Sequence, residues 1–174
     1  AMNAVGMWKI APTVSGSGVT IDADKNIILT AATAAVMTDA FPADFYNFVV
    51  YLSDFSGTSS SNLQLQLYTT VAIATNYRSG GRFSTYAGSF GDVASITTHF
   101  GVGSVTSASD KTSAVCTIFN PNLAVITGYK SEVSNRDAWF ANGGQNTNTT
   151  AYSNLSLSVS AGNCTGKISI YGLR

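Results

Sequence analysis

Apolar side chains recur at every second position along several stretches of the chain. The clearest stretch runs from Leu63 to Ile73, where apolar residues alternate with Gln64, Gln66 and Tyr68. A repeat of two places alternate side chains on opposite faces of a β-strand. The sequence therefore predicts a strand here, with its leucines in the core and its polar face toward solvent or a partner.

The same alternation, bounded by Gly, Asn, Pro or Ser, predicts further strands. These are Asn47–Phe55, Ala94–Val102, Ala114–Phe119, Leu123–Tyr129, Leu155–Val159 and Lys167–Tyr171, with weaker candidates at Gly18–Ile21 and Asn26–Thr30. The segment from Asp22 to Asn26, between the two weaker strands, indicates a hairpin turn. Ala31–Met37 fits a short helix or a strand, and both alternatives stay open.

Eight or nine short strands without helical spacers predict an all-β fold, an antiparallel β-sandwich of the jelly-roll or another Greek-key type. The length of 174 residues suits one such domain over 1–174. Within it, residues 1–30 are expected to form an N-terminal arm or the first hairpin. Residues 1–2 resemble a cloning remnant, and whether the chain is part of a longer protein stays open.

Charged residues are scarce, with nine basic and nine acidic side chains and a formal net charge of zero. They make up 10% of the chain, against about 25% in an average soluble domain. The basic residues are scattered, which argues against nucleic acid as a partner, because phosphate binding needs clustered Lys and Arg. The sequence contains no run of 18 apolar residues, the length that predicts a membrane-spanning helix, so no membrane insertion is expected.

No set of residue types predicts a metal or catalytic centre. One His and two Cys are too few for a zinc site, and the acidic run that begins at Asp22 lacks the Gly and Glu of a calcium loop. The segment around Ser89 has Ala87 at the position where the nucleophile-elbow motif of hydrolases has its first Gly. We expect no metal, no cofactor and no enzymatic activity. A hydrolase that works through Asp residues such as Asp92 or Asp137 is the weakest hypothesis for this chain.

The two cysteines admit two interpretations. Cys116 belongs to a predicted strand, and Cys164 lies in a predicted turn. They are either inert thiols or a disulfide, which requires Cα atoms within about 7 Å and an oxidising compartment.

Two long connections, Asn76–Tyr86 and Ser134–Gln145, combine aromatic rings with planar polar groups, the mixture with which proteins bind sugars. The candidate glycan contacts are Tyr77, Arg78, Arg82, Tyr86, Arg136, Asp137, Trp139 and Asn142. The competing interpretation is that these aromatic residues cover the end of a core. The nearly uncharged face of Gln64, Gln66 and Tyr68 is instead a candidate oligomer interface.

Several short segments resemble, in this order, segments of a group of tailed-bacteriophage virion proteins. They are Phe41–Val50, Leu63–Leu67, Asn76-Tyr77, Ile118–Pro121 and Gly166–Gly172. In that group an aromatic-rich strand similar to "sagtYdnYri" comes early, an "i-x-n-P" segment follows, and the chain closes on a strand similar to "Gtv-x-lYGi". Phe45 and Phe48 stand where the group has Tyr, which leaves a core role intact.

The resemblance implies a non-enzymatic structural or adsorption protein, either a homotrimeric tail-fibre or tip domain or a capsid decoration protein. The implied partners are other virion proteins and a host-surface glycan or protein receptor, and the implied location is the virion, assembled in the bacterial cytoplasm. The alternative hypothesis is a carbohydrate-binding module of a secreted bacterial protein. That alternative predicts a monomer with a Cys116–Cys164 disulfide.

Overall fold

Every regular element of the described chain is a β-strand. The computed structural model describes residues 6–70, 73–105 and 110–174, apart from the side chain of Ala94. The strands are β1 (Met7–Ile10), β2 (Thr13–Ser15), β3 (Val19–Ile21), β4 (Ile27–Ala32), β5 (Ala34–Thr38), β6 (Asn47–Gly57), β7 (Ser61–Tyr68), β8 (Tyr77–Thr85), β9 (Phe90–Ile96), β10 (Phe100–Val105), β11 (Thr112–Phe119), β12 (Thr127–Ser134), β13 (Ala138–Asn146), β14 (Asn154–Val159) and β15 (Cys164–Leu173). The all-β prediction is confirmed.

The strands form two antiparallel sheets that pack face to face. The larger sheet has the order β3-β4-β15-β6-β11-β12-β13-β8-β9, with β1 beside β15, and the smaller has the order β10-β7-β14-β5-β2. Consecutive strands stay in one sheet at β3–β4, β8–β9 and β11–β12–β13, and elsewhere the chain crosses between the sheets. The predicted jelly-roll-like antiparallel sandwich is confirmed.

The core lies between the two sheets and follows the alternation in the sequence. On β7 the three leucines are fully buried, while the glutamines between them are partly exposed. An aromatic cluster joins the sheets, since the ring of Phe100 stacks on Tyr129 at 4.5 Å and meets Tyr77 edge-on at 4.8 Å. These contacts hold β10 of the smaller sheet against β8 and β12 of the larger one.

Several strand boundaries differ from the sequence prediction. The segment Ala94–Val102 is divided between β9 and β10, which lie in different sheets. The strand predicted from Leu63 ends at Tyr68, with residues 71–72 outside the described ranges, and Leu123–Tyr129 is loop until Thr127. Ala31–Met37 contains no helix; it holds the end of β4 and the start of β5, separated by Thr33. Fifteen strands replace the predicted eight or nine in the described ranges. Strands of three or four residues are too short to show a repeat of two.

The two segments predicted as long connections are instead the paired strands β8 and β13, which corrects that interpretation. They run side by side from Tyr77 opposite Asn146 to Thr85 opposite Ala138. Their glycines have a steric purpose, because a Cβ on Gly81 or Gly144 would lie 2.2 Å from a backbone oxygen of the other strand. Close approach of two backbones therefore requires glycine here, and the glycines hide the strand pattern.

Three of the five segments that carry the phage resemblance meet at one end of the sandwich. The amide of Asn120 donates to the carbonyl of Tyr46 at 2.9 Å, and the amide of Tyr46 donates to the carbonyl of Leu173 at 3.1 Å. The ring of Phe45 occupies the space that a Cβ on Gly172 would need, at 2.4 Å. These three segments therefore form part of the framework of the fold.

The turn from Asp22 to Asn26 connects β3 to β4, as the sequence predicts. The carboxylate of Asp22 accepts hydrogen bonds from the side-chain amide and the backbone amide of Asn26, each at 2.8 Å. These bonds to the charged form lower the pKa of Asp22. The acidic run thus stabilises a hairpin turn.

Candidate functional site

The outer face of the larger sheet carries two parallel rows of side chains that cross the strands. In the serine row, Ser113 lies opposite Ser134, Ser134 opposite Trp139, Trp139 opposite Ser84 and Ser84 opposite Phe90. The neighbouring charged row contains Tyr51, Val115, Glu132, Ala141, Arg82 and Asp92, in the order β6, β11, β12, β13, β8 and β9. Antiparallel pairing thus brings distant parts of the sequence together.

Two depressions lie along these rows and meet at Trp139. The first has a volume of about 390 Å³ and extends from Tyr51 to Trp139, and the second has a volume of about 490 Å³ and extends from Trp139 to Phe90. We call the two depressions the cross-strand groove. It spans five strand spacings, or about 24 Å.

Three aromatic side chains stand along the groove with much of their surface exposed. Trp139 is 43% exposed, Tyr51 is 36% exposed and Phe90 is 82% exposed. The ring of Tyr51 is held edge-on by Tyr171 at 5.6 Å. Several exposed aromatic residues on one face indicate an interaction site, because contiguous exposed apolar surface marks such sites more often than scattered apolar residues do.

Polar groups border the aromatic rings. Nε of Arg82 lies 3.3 Å from Oδ1 of Asp92, and both side chains are largely exposed. An exposed ion pair of this kind contributes at most about 1 kcal/mol to stability, so both groups remain available to a ligand. The hydroxyls of Tyr86 and Ser134 are 3.2 Å apart, which places Tyr86 at the border of the groove.

The eight candidate glycan contacts separate into four groups, of which the last, Tyr77 and Asn142, lies in the core. Arg82 and Trp139 line the groove, and Tyr86 borders it. Arg78 is exposed on β8, four residues before Arg82 and on the same face of the sheet. Arg136 and Asp137 lie between β12 and β13, where Nη1 of Arg136 is 3.2 Å from Oδ1 of Asp110.

Tyr77 and Asn142 are core residues, and their assignment as glycan contacts is corrected. Tyr77 is 1% exposed; its hydroxyl accepts the amide proton of Leu67 at 2.7 Å, and burial raises its pKa well above the usual value. The side-chain amide of Asn142 donates to the carbonyl of Val102 at 2.8 Å and to the hydroxyl of Ser131 at 3.3 Å. Both residues occupy inward positions of β8 and β13, which the sequence pattern predicts as long connections.

Sequence reasoning did not include Tyr51, Phe90, Glu132 or the serines in the site. Tyr51 could have been found from the sequence, because the alternation of its predicted strand places this aromatic side chain on the outward face. The other residues give no signal alone. They form a site only once the order of the strands is known.

The outer face of the smaller sheet differs from the groove face. Gln64, Gln66 and Tyr68 are partly exposed there, and their neighbours on β14 and β5 include Ser156, Ser158, Ala34 and Val36. Among the described outward positions of β5, β7 and β14 there is no charged side chain. This neutral face keeps the properties for which it is a candidate oligomer interface.

Among residues 6–70, 73–105 and 110–174, no group of three His, Cys, Asp or Glu side chains is close enough to hold a metal ion. Within the same ranges, no helix is long and apolar enough to cross a membrane.

Both cysteines are free and buried. Cys116 pairs with Val50 of β6, and Cys164 pairs with Gly57 of the same strand, so the two lie on opposite sides of β6 and seven residues apart along it. This separation exceeds the Cα distance of about 7 Å that a disulfide allows. The disulfide expected for a secreted module is therefore not formed.

We expect both thiols to resist alkylation in the folded protein. Burial raises the pKa of Cys116 to about 12 and that of Cys164 to about 11, so little thiolate exists at pH 8. Iodoacetamide should label the native protein at least about a hundredfold more slowly than the guanidinium-unfolded protein, as measured by mass spectrometry. Because only the unfolded thiols ionise near pH 9, the free energy of unfolding should fall between about pH 9 and pH 12. Rapid native labelling would contradict this burial.

Comparisons with known proteins give weak structural likeness. No protein-family model matches the chain, and no curated protein matches it. The carbohydrate recognition domain of Emp47p has a TM-score of 0.25 and 6% identity, over 94% of this chain and 89% of that one. A Bauhinia forficata lectin in complex with GalNAc has a TM-score of 0.26 and 8% identity, over 95% and 96%. The CBM2 module of the evolved Dit of Lactobacillus casei BL23 phage J-1 has a TM-score of 0.29 and 10% identity, over 94% and 91%. Values this low do not place the chain in any of these families.

Proposed function

We propose that this protein is a non-enzymatic carbohydrate-binding domain and that the cross-strand groove is its binding site. The observation that carries the proposal is the exposed ring of Trp139, set between serine hydroxyls and the charged groups of Arg82 and Glu132. A sugar ring has an apolar C–H face and a rim of hydroxyls. An aromatic face bordered by hydrogen-bonding groups is complementary to both surfaces.

The spacing of carboxylates supports binding rather than hydrolysis. Glu132 and Asp92 line the groove on β12 and β9, three strand spacings or about 14 Å apart. Inverting glycosidases place their two carboxyl groups about 6.5–9.5 Å apart, and retaining enzymes place them about 5–5.5 Å apart. This pair is too widely separated for either mechanism.

A glycan screen tests the proposed function. Fluorescently labelled protein is applied to an array that displays bacterial surface glycans, linear polysaccharides and simple sugars. We expect selective binding that the free glycan competes away. If no glycan on the array retains the wild-type protein, the proposal is wrong.

We propose further that the domain belongs to a phage particle, as a homotrimeric fibre or tip domain that contacts the host surface. The resemblance of its framework segments to tailed-phage virion proteins supports this proposal, and so does the neutral outer face of the smaller sheet. Uncharged faces with aromatic residues suit buried interfaces. Burial of this face in a trimer leaves the groove on the opposite sheet accessible to a host glycan.

Tyr68→Asp is expected to separate such a trimer into folded monomers. Tyr68 is partly exposed beside Asn154, so a carboxylate there is solvated in a monomer but buried without a partner in a trimer. Light scattering on a size-exclusion column should give three times 18.1 kDa for the wild type and 18.1 kDa for the variant. Tyr46→Asp, at an exposed aromatic residue outside both sheets, is the matched control. A wild-type monomer, or a trimeric variant, contradicts the proposed interface.

A further inference from the structure

We infer that the cross-strand groove binds several successive sugar units of a linear polysaccharide that runs across the strands. This inference rests on the proposed carbohydrate-binding function and specifies the ligand class. Tyr51, Trp139 and Phe90 supply three separate ring sites along the chain of sugars.

The distances between the aromatic residues exclude a single sugar as the whole ligand. Tyr51 on β6 and Trp139 on β13 are three strand spacings apart, or about 14 Å, and Trp139 and Phe90 on β9 are two spacings apart, or about 10 Å. One sugar ring covers about one aromatic side chain, so a monosaccharide contacts only one of the three. A ligand that contacts all three contains several linked rings.

The polar groups repeat along the groove as hydroxyls repeat along a polysaccharide. Three serines lie on the path between the aromatic residues, namely Ser113 on β11, Ser134 on β12 and Ser84 on β8. Glu132 and Arg82 face this path from the charged row, two strands apart. Each segment of the groove therefore offers an aromatic or apolar surface together with a hydrogen-bonding group.

The groove opens at the rim of the sheet. Among the described residues, β9 is an edge strand, and its one aromatic residue, Phe90, is 82% exposed. A chain can continue past Phe90 in solvent. This open end accommodates a polysaccharide that is longer than the groove.

Chain-length dependence tests the inference. Five soluble linear polysaccharides (xylan, mixed-linkage β-glucan, galactomannan, polygalacturonate and hyaluronan) are titrated into the wild-type protein by calorimetry, together with their constituent monosaccharides. Fragments of two and six rings are then prepared from each polymer that binds. We expect the six-ring fragment to bind at least about tenfold more tightly than the two-ring fragment, because it adds aromatic contacts.

Phe90→Ala provides the residue-level test. Because Phe90 is 82% exposed, its truncation should leave the fold intact. The variant should lose most of the affinity gained between two and six rings and keep the two-ring affinity of the wild type. Tyr46→Ala, at an aromatic residue 55% exposed outside the sheets, should bind both fragments as the wild type does.

The outcomes separate this inference from the proposed function. Binding of monosaccharides or two-ring fragments as tight as that of six-ring fragments overturns the extended ligand and preserves carbohydrate binding. Unchanged six-ring affinity in Phe90→Ala also overturns it. Failure of every polymer to bind overturns the extended ligand, whereas the proposed function is overturned only if no glycan on the array binds either.

Discussion

Replacing Trp139 by alanine is expected to weaken glycan binding by roughly thirtyfold, or about 2 kcal/mol. Among the described residues, Trp139 is the one side chain shared by the two depressions of the groove, so its loss removes the contact at the centre of the candidate site. Residues of this type, central and partly desolvated on binding, carry most of the energy of an interface. Calorimetric titration with the glycan selected on the array measures the change.

Two variants make the result specific to the indole ring. Trp139→Phe keeps an aromatic face and should recover part of the affinity. Tyr46→Ala removes an exposed aromatic residue elsewhere and should bind as the wild type does. Circular dichroism should be unchanged in all three variants, because Trp139 lies at an outward position. Full affinity in Trp139→Ala would exclude the groove as the binding site.

Leu65→Asp is expected to abolish folding. Leu65 is fully buried on β7, between Phe100 of β10 and Leu157 of β14. The substitution removes about 2 kcal/mol of apolar burial and adds several kcal/mol for an unpaired buried charge. The sum is comparable with the total stability of a domain, about 5–15 kcal/mol. The variant should be insoluble or show no cooperative unfolding transition.

Matched variants on the same strand show whether burial is the cause. Asn62→Asp introduces the same charge at an exposed position of β7 and should change the free energy of unfolding by less than about 0.5 kcal/mol. Leu65→Ala leaves a cavity without a charge and should lower that free energy by about 2–4 kcal/mol in urea titrations. A folded Leu65→Asp protein with a normal urea midpoint would contradict the position of the core.

The sequence was sufficient for the parts of the fold in which one face of a strand is apolar. The leucines of β7 show their alternation without interruption, and the structure buries them as predicted. β8 and β13 were not recognised, because their glycine pairs break the pattern. One glycine of each pair, Gly81 and Gly144, is required where the two backbones come within contact distance, and such contacts are set by pairing rather than by local propensity.

Residue chemistry alone predicted part of the candidate site. Trp139 and Arg82 were identified because their side chains suit sugar recognition, whereas Tyr77 and Asn142 have similar chemistry but point into the core. Trp139 and Arg82 point outward from β13 and β8, whereas Asn142 and Tyr77 point inward from the same two strands. The packing of the sheet decides which face of each strand points outward. Phe90 joins the site through the pairing of β8 with β9, which local sequence does not reveal.

The most direct test of the groove is the pair of indole N–H signals in the ¹⁵N-correlated NMR spectrum. The chain has two tryptophans; Trp139 lies in the groove, while Trp8 packs against Phe45 at 5.7 Å, with the guanidinium of Arg174 over its ring at 5.0 Å. Trp139→Phe assigns the signals. Titration with the selected glycan is predicted to shift the Trp139 signal in proportion to occupancy and to leave the Trp8 signal in place. A bound glycan that leaves the Trp139 signal unchanged would contradict the account.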